Sequence, residues 1–330
     1  MIYMPKFNKV LILCPGNVVT GGPEALHHLA HLLCNMGIDA RMVYTPMDQR
    51  FEVSEPYKDF GVQVGEYEDV AGNLIVFPEI YPIQALKVKY AKAAIWWLSL
   101  DNFLERRHIS KIRDKIRYWK GVVRGRRPLN GVAALKELIH FSQSHYSSEY
   151  LVDHGLDVVE FFEPINARFL KENLDPANVG RVNEILFNPN KGKEITQKLI
   201  ERFPHWKFTP LKGFNREELS QKFSTSKVYI DFGHHPGRDR LPREAAMHGC
   251  CVVTGLLGSA RNAIDIPISD EYKLDTDQLS FENDFGKLIQ DIFENFGMHH
   301  DRFNSYRMRI MSEPEIFKLQ IAQFFQPSSN

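Results

Sequence analysis

The stretch VYIDFGHHPGRDRLPREAAMHGCCVVTG, residues 228–255, sets reactive side chains between two apolar runs. Val228–Phe232 and Cys250–Thr254 read as buried strands, and Arg243–His248 as a helix between them. The connecting loop carries His234, His235, Arg238 and Arg240, with Arg243 and Glu244 opening the helix. Guanidinium groups bind phosphate through a bidentate fork, and a carboxylate such as Glu244 accepts two vicinal hydroxyls, as on a ribose. Asp231 stands inside an apolar strand, where a carboxylate is costly unless paired or employed. A salt-bridged surface loop would use the same residue types. Adjacent histidines point apart, and no His-x-x-His or cysteine partner lies nearby, so the sequence predicts no metal here.

Three other loops follow apolar runs. Gly21 and Gly22 lie between the strand Val10–Cys14 and the helix Glu24–Asn35, where a glycine turn would let backbone approach a ligand. GxGxxG is absent, and Gly22 is followed by Pro rather than by Lys-Ser/Thr, which argues against dinucleotide and Walker-type sites. Asp101 follows the strand Ala94–Leu98 directly, as a base would, although a helix cap uses the same residue. Lys191 and Lys193 sit in FNPNKGKEI, where the strand Glu184–Phe187 gives way to the helix Glu194–Arg202.

These loops need a frame. Short β-branched runs alternate with helix-period segments: strands at Arg41–Tyr44, Leu74–Phe77, Ile139–Ser142, Val158–Phe162 and Lys207–Thr209, a helix Arg216–Phe223 capped by Asn215, and a last helix Pro314–Phe325. Such alternation predicts parallel sheets covered on both faces. There are too many strands for one sheet, so two doubly wound domains are expected, hinged in Phe161–Leu170. Ligands of such sheets bind beyond the carboxyl ends of the strands.

Lys+Arg and Asp+Glu number 41 each, so net charge selects no partner. The four cysteines form no Cys-x-x-Cys pair, and Cys250–Cys251 lie in an apolar run, which predicts a reduced, cytoplasmic setting. Arg106–Arg127 holds ten Lys/Arg and one Asp, with Ile109, Ile112, Ile116, Trp119 and Val123 at helical spacing. That pattern fits an anionic membrane surface or a packed helix with a solvated face; no nucleic-acid-reading module accompanies it.

GGPEALHHLAHLLCNMGIDARMVY, EPINARF, NPNKGKEITQKLIERFP and LPREAAMHGCCVV together resemble GT-B glycosyltransferases of the group that builds bacterial lipopolysaccharide, capsule and O-antigen. The resemblance covers most of the chain. It implies an α/β fold of two Rossmann-like domains facing a cleft, with a C-terminal helix returning to the first. Residues 1–163 would form the acceptor side, with a basic helical segment at 103–128. Residues 164–312 would bind a nucleotide-sugar, and 313–330 would be the returning helix.

The resemblance places Gly21 and Gly22 toward donor phosphate or acceptor, Lys191 on the donor pyrophosphate and Glu244 on the ribose. Asp101 or Asp231 would be base or nucleophile. Neither metal nor cofactor is expected, and the acceptor would be a glycan or a lipid-linked sugar, at the inner membrane face if Arg106–Arg127 binds lipid. The group carries two glutamates with seven residues between them; counting back from Glu244, the first position here is Pro236, which leaves retention or inversion open. A nucleotide-sugar epimerase of the same fold, or a non-catalytic binder of sugar nucleotides or lipid, would share these features.

Overall fold

The computed structural model describes residues 7–105, 131–170 and 180–326. The stretch Arg106–Arg127 lies outside them. The chain divides into two compact units, Met1–Glu163 with Ile316–Asn330, and Pro164–Glu315.

The first unit is built on a seven-stranded, all-parallel sheet of order β3-β2-β1-β4-β5-β6-β7. Its strands are β1 (Lys9–Pro15), β2 (Ala40–Thr45), β3 (Gln63–Val64), β4 (Asn73–Pro78), β5 (Lys92–Trp97), β6 (Ile139–Ser142) and β7 (Val158–Glu160). Helices α1 (Gly21–Asn35), α2 (Pro82–Ala85), α3 (Leu100–Glu105) and α4 (His145–Asp153) lie between them. Both sheet faces are covered, so the central strands are apolar without alternation. Consecutive side chains then enter opposite cores: Trp96 packs with α1 and β1, Trp97 with Phe103 and Leu135, and both are fully buried.

The second unit has a four-stranded parallel sheet of order β11-β10-β8-β9. The strands are β8 (Val182–Phe187), β9 (Lys207–Pro210), β10 (Ser226–Asp231) and β11 (Cys251–Thr254). The helices are α5 (Lys193–Arg202), α6 (Arg216–Thr225), α7 (Arg240–Met247), α8 (Phe281–Glu294), α9 (Phe296–Arg302) and α10 (Asn304–Phe325). Asn215 caps α6 in a full capping box with Glu218, a local device that fixes the helix start.

Several boundaries differ from the sequence reading. α1 begins at Gly21, so Gly21 and Gly22 form its first turn rather than a preceding loop. α7 begins at Arg240, three residues before the predicted start. α10 begins at Asn304 and carries Pro314 inside it. An interior proline lacks the N–H that would bond four residues back, so the helix continues here through its packing. Phe317, Ile321 and Phe324 on the far side of Pro314 are buried in the first unit's core, where Phe317 stacks on Trp96 and Phe324 meets Phe141 edge-on. Before the proline, Tyr306 and Ile310 belong to the second unit's core.

Candidate functional site

In each sheet the strand order reverses direction once, between β1 and β4 and between β8 and β10. Open parallel sheets take ligands beyond the strand ends at such switch points. In the second unit the two flanking loops meet there. A Cβ on Gly192 would lie 2.8 Å from Gly233 N and 3.0 Å from Phe232 O. One on Gly233 would lie 2.5 Å from Lys191 Cβ. Gly192 also has a φ of +56°, which favours glycine, so both positions are held to it by close approach or backbone. This junction brings the start of α5, Lys191 and the loop after β10 together.

The loop after β10 is built from inside. Tyr229 Oη donates to Asp231 Oδ2 (3.1 Å) and Gly233 N to Oδ1 (3.0 Å). His235 is fully buried, with Nε2 3.4 Å from Asp231 Oδ1 and Nδ1 3.1 Å from Asp239 Oδ2; neither approach is aligned as a hydrogen bond. Lys191 Nζ pairs with the same Asp239 oxygen. Asp239 precedes α7 as its N-cap, but its carboxylate is turned to these cations and caps nothing. Burial alone would lower the pKa of His235, but Asp239 and Asp231 outweigh it and raise it. Burial works the other way on Asp231, and the contacts with His235, the charge of Lys191 and the Gly233 N–H hold that carboxyl below its ordinary value.

Hydrogen bonds to main-chain carbonyls tie this loop to the one after β11. His235 N donates to Leu257 O (3.3 Å), Ser259 N to His235 O (2.8 Å) and Ser259 Oγ to Gly237 O (2.5 Å). Arg243 Nη2 reaches Arg238 O (2.9 Å), and its Nε reaches Asp239 O (3.2 Å).

The arginines fall into two groups. Arg238 is buried, paired with Glu313 and 3.9 Å from Asp265; Arg243 Nη1 lies 2.7 Å from the other Glu313 oxygen. These guanidinium groups anchor the loop to α10. Arg240, in the first turn of α7, is partly exposed, and His234 is exposed. Glu244 is buried in α7.

Among the described residues, one group could hold a metal ion: Asp231, His235 and Asp239, whose ligand atoms lie within 4.8 Å of one another. The sequence reading weighed only histidine and cysteine as partners. The repeat Asp-x3-His-x3-Asp was the missed signal. Each ring nitrogen faces a different carboxylate, and Lys191 pairs with Asp239. Asp239 and Glu313 are the residues that sequence reasoning passed over.

In the first unit Asp101 lies in the first turn of α3 and accepts from Tyr146 Oη (3.2 Å). Ser99 Oγ, not Asp101, takes the Asn102 N–H at that helix start (3.3 Å). Glu79, at the end of β4, accepts from Asn102 Nδ2 (3.2 Å). A Cβ on Gly22 would meet only Leu98 Cδ1 at 3.7 Å, an ordinary contact. Asp101 with the Gly21–Gly22 turn, and the Lys191–Asp239 cluster, thus belong to separate units.

Two parallel α/β units joined by a shared C-terminal helix are the fold of GT-B glycosyltransferases. The chain is similar to sucrose-phosphate synthase from Thermosynechococcus elongatus, with a TM-score of 0.66 and 12% identity over 97% of this chain and 98% of that one. HepE from Anabaena, solved with UDP-glucose, gives 0.62 and 11% over 96% and 98%. A glycosyltransferase from Rickettsia africae gives 0.57 and 12% over 98% and 100%. No family model matches the chain. No curated protein matches it either.

Proposed function

We propose that the protein is a glycosyltransferase that moves a sugar from a nucleotide-sugar donor to a glycan or lipid-linked acceptor. The observation that carries this reading is the junction of Gly192 with Gly233, which sets Lys191 and the start of α5 at the second unit's switch point. Lys191 and Arg240 would neutralise the donor pyrophosphate, whose charge grows as the glycosidic bond breaks. Arg238 and Arg243 would act from behind, holding the loop in shape. Glu244 would take the ribose hydroxyls. Asp101, at the ligand end of the first unit's sheet, would serve the acceptor. Lysine and arginine supply the countercharge, so the reading assigns no metal.

HepE was solved with UDP-glucose, which makes it the first donor to test. A ligand that binds only the folded state raises its melting temperature. Saturable stabilisation by UDP-glucose or by another UDP-, GDP-, CMP- or dTDP-sugar is expected, and its absence with all of them would overturn the reading. Asp101→Asn should keep melting temperature and donor affinity but lose ~10²-fold or more in turnover. Asp231→Asn should instead lose stability, since its carboxylate holds Tyr229, Gly233 and His235. If Asp231→Asn melts like the parent but fails to turn over, the two roles are exchanged.

A further inference from the structure

The connection from β4 to β5 presents an exposed apolar and basic face. Ala85 is buried and Val88 half-buried against the first unit's core, three residues apart on one side of α2 and the turn that continues it. Ile83, Leu86 and Lys87, at spacings of three and four, therefore point outward. Ile83 is 51% exposed, Leu86 44% and Tyr90 70%. Lys87, Lys89 and Lys92 are exposed beside them, and none forms an ion pair among the described residues. Asp69 then fixes the tip: its carboxylate accepts the N–H groups of Lys89, Tyr90 and Ala91 at 2.8, 2.9 and 2.8 Å. Those bonds, led by the one from Ala91, together with the charge of Lys89, hold its carboxyl below the ordinary value. Val70, next to Asp69, is 50% exposed and extends the apolar surface.

We propose that this face docks on a membrane surface bearing anionic lipid headgroups. Apolar side chains flanked by exposed lysines complement such a surface in both respects: the apolar groups enter the acyl boundary while the ammonium groups stay at headgroup level. A tyrosine at the tip suits the same boundary. A second copy of this chain fits poorly, because a two-fold contact would set the lysines of one copy against those of the other. The stretch Arg106–Arg127 carries the same sign of charge and fits no better. Nucleic acid would use the lysines but leave Ile83, Leu86 and Val70 without a role. α2 follows the carboxyl end of β4, and the tip held by Asp69 precedes the start of β5, so the face runs from one end of these parallel strands toward the other. The proposal does not depend on the sugar-transfer reading.

Co-sedimentation with vesicles tests it. The full chain should pellet with phosphatidylcholine vesicles containing phosphatidylglycerol, less so at high salt, and not with phosphatidylcholine alone. Each lysine near an anionic surface contributes about fivefold in partitioning, so Lys87→Glu with Lys89→Glu and Lys92→Glu should reduce binding by about 100-fold or more. Ile83→Ser with Leu86→Ser and Tyr90→Ser should reduce it at least tenfold at unchanged charge. Unaltered melting temperatures keep both comparisons valid; Lys89→Glu and Leu86→Glu alone replace any combination that melts early. A companion variant, Lys111→Glu with Arg113→Glu and Lys115→Glu, probes the other basic stretch. Loss of binding in both sets of face variants supports the proposal whatever the companion does. Equal binding to neutral vesicles, or binding lost only in the companion, overturns it. So does a dimer that Leu86→Glu dissolves while vesicle binding persists, or DNA binding that the lysine variants alone abolish in a protein that ignores vesicles.

Discussion

Arg243 Nη1 lies 2.7 Å from Glu313 Oε2, a buried ion pair that ties the loop after β10 to α10 across 70 positions of sequence. The other Glu313 oxygen takes Arg238. One carboxylate thus bridges two guanidinium groups, with Asp265 3.9 Å from Arg238 Nε, and those groups shape the loop that carries the candidate donor site.

Removing that carboxylate leaves two buried cations short of their anion. Breaking a buried pair from one side costs about 3–5 kcal/mol. Glu313→Gln should therefore lose stability of that order in urea unfolding, and nucleotide-sugar affinity should fall with it. Arg238→Met keeps the volume and removes one cation. It should be milder in stability and, with Arg238 acting from behind the loop, should bind donor nearly as the parent does. A selective loss of donor affinity at full stability would instead put Arg238 on the phosphate.

Lys191 and Asp239 should respond in opposite directions. Lys191→Ala removes a charge-assisted contact to the donor pyrophosphate, worth about 1.5–3 kcal/mol or ~10- to 100-fold in affinity. Asp239→Asn removes a competing anion from Lys191 and from the approaching phosphates, so binding should tighten several-fold. Calorimetric titration with the donor found by thermal shift reads both signs. Equal losses in the two variants would mean that the ion pair itself is the binding element.

The raised pKa of His235 makes a pH prediction. Its unfolded value is about 6.5, and Asp239 and Asp231 raise it in the folded state. The imidazolium's contribution is therefore complete below about 6.5 and is lost as pH rises through the folded value. Unfolding free energy should decline through the neutral-to-alkaline range, and His235→Asn should flatten that part of the profile. An identical slope in the variant would remove His235 as the source.

Glu184 sets the acid limit of the second unit. It is almost fully buried near the start of β8, where burial alone would raise its pKa. Lys207 (2.8 Å), Thr209 (2.6 Å), Ser226 (2.7 Å) and Lys222 (3.2 Å) reverse that and bring it down to about 2. A depressed carboxyl gives its stability above the unfolded pKa and loses it as pH falls through the folded one. A fall from about 4.5 to about 2 corresponds to roughly 3 kcal/mol. Acid unfolding of the parent should thus include a loss between these values that Glu184→Gln lacks, the variant being less stable at neutral pH.

The alternation of β-branched runs with helical periods was enough to specify parallel sheets in two units, because each strand's burial on both faces is written in its own few residues. The Asn215 cap was legible for the same reason: donor and acceptor lie within one turn. The starts of α7 and α10 were not. Pro314 reads locally as a helix start, and only the burial of Phe317, Ile321 and Phe324 keeps the helix running through it.

At the candidate site, the sequence supplied the residue types and the strand ends, and Asp231 stood out as a carboxylate in an apolar run. It did not supply the partners. Arg238, Arg240 and Arg243 look alike in sequence. Their difference comes from α10, which brings Glu313 to two of them, and from the helix start, which leaves Arg240 partly exposed. Asp239 likewise reads as an ordinary cap until the contact of Gly192 with Gly233 brings Lys191 over it. Residue type fixes what charge a group carries. Which charges face one another across long stretches of chain is decided only when the sheets and helices pack.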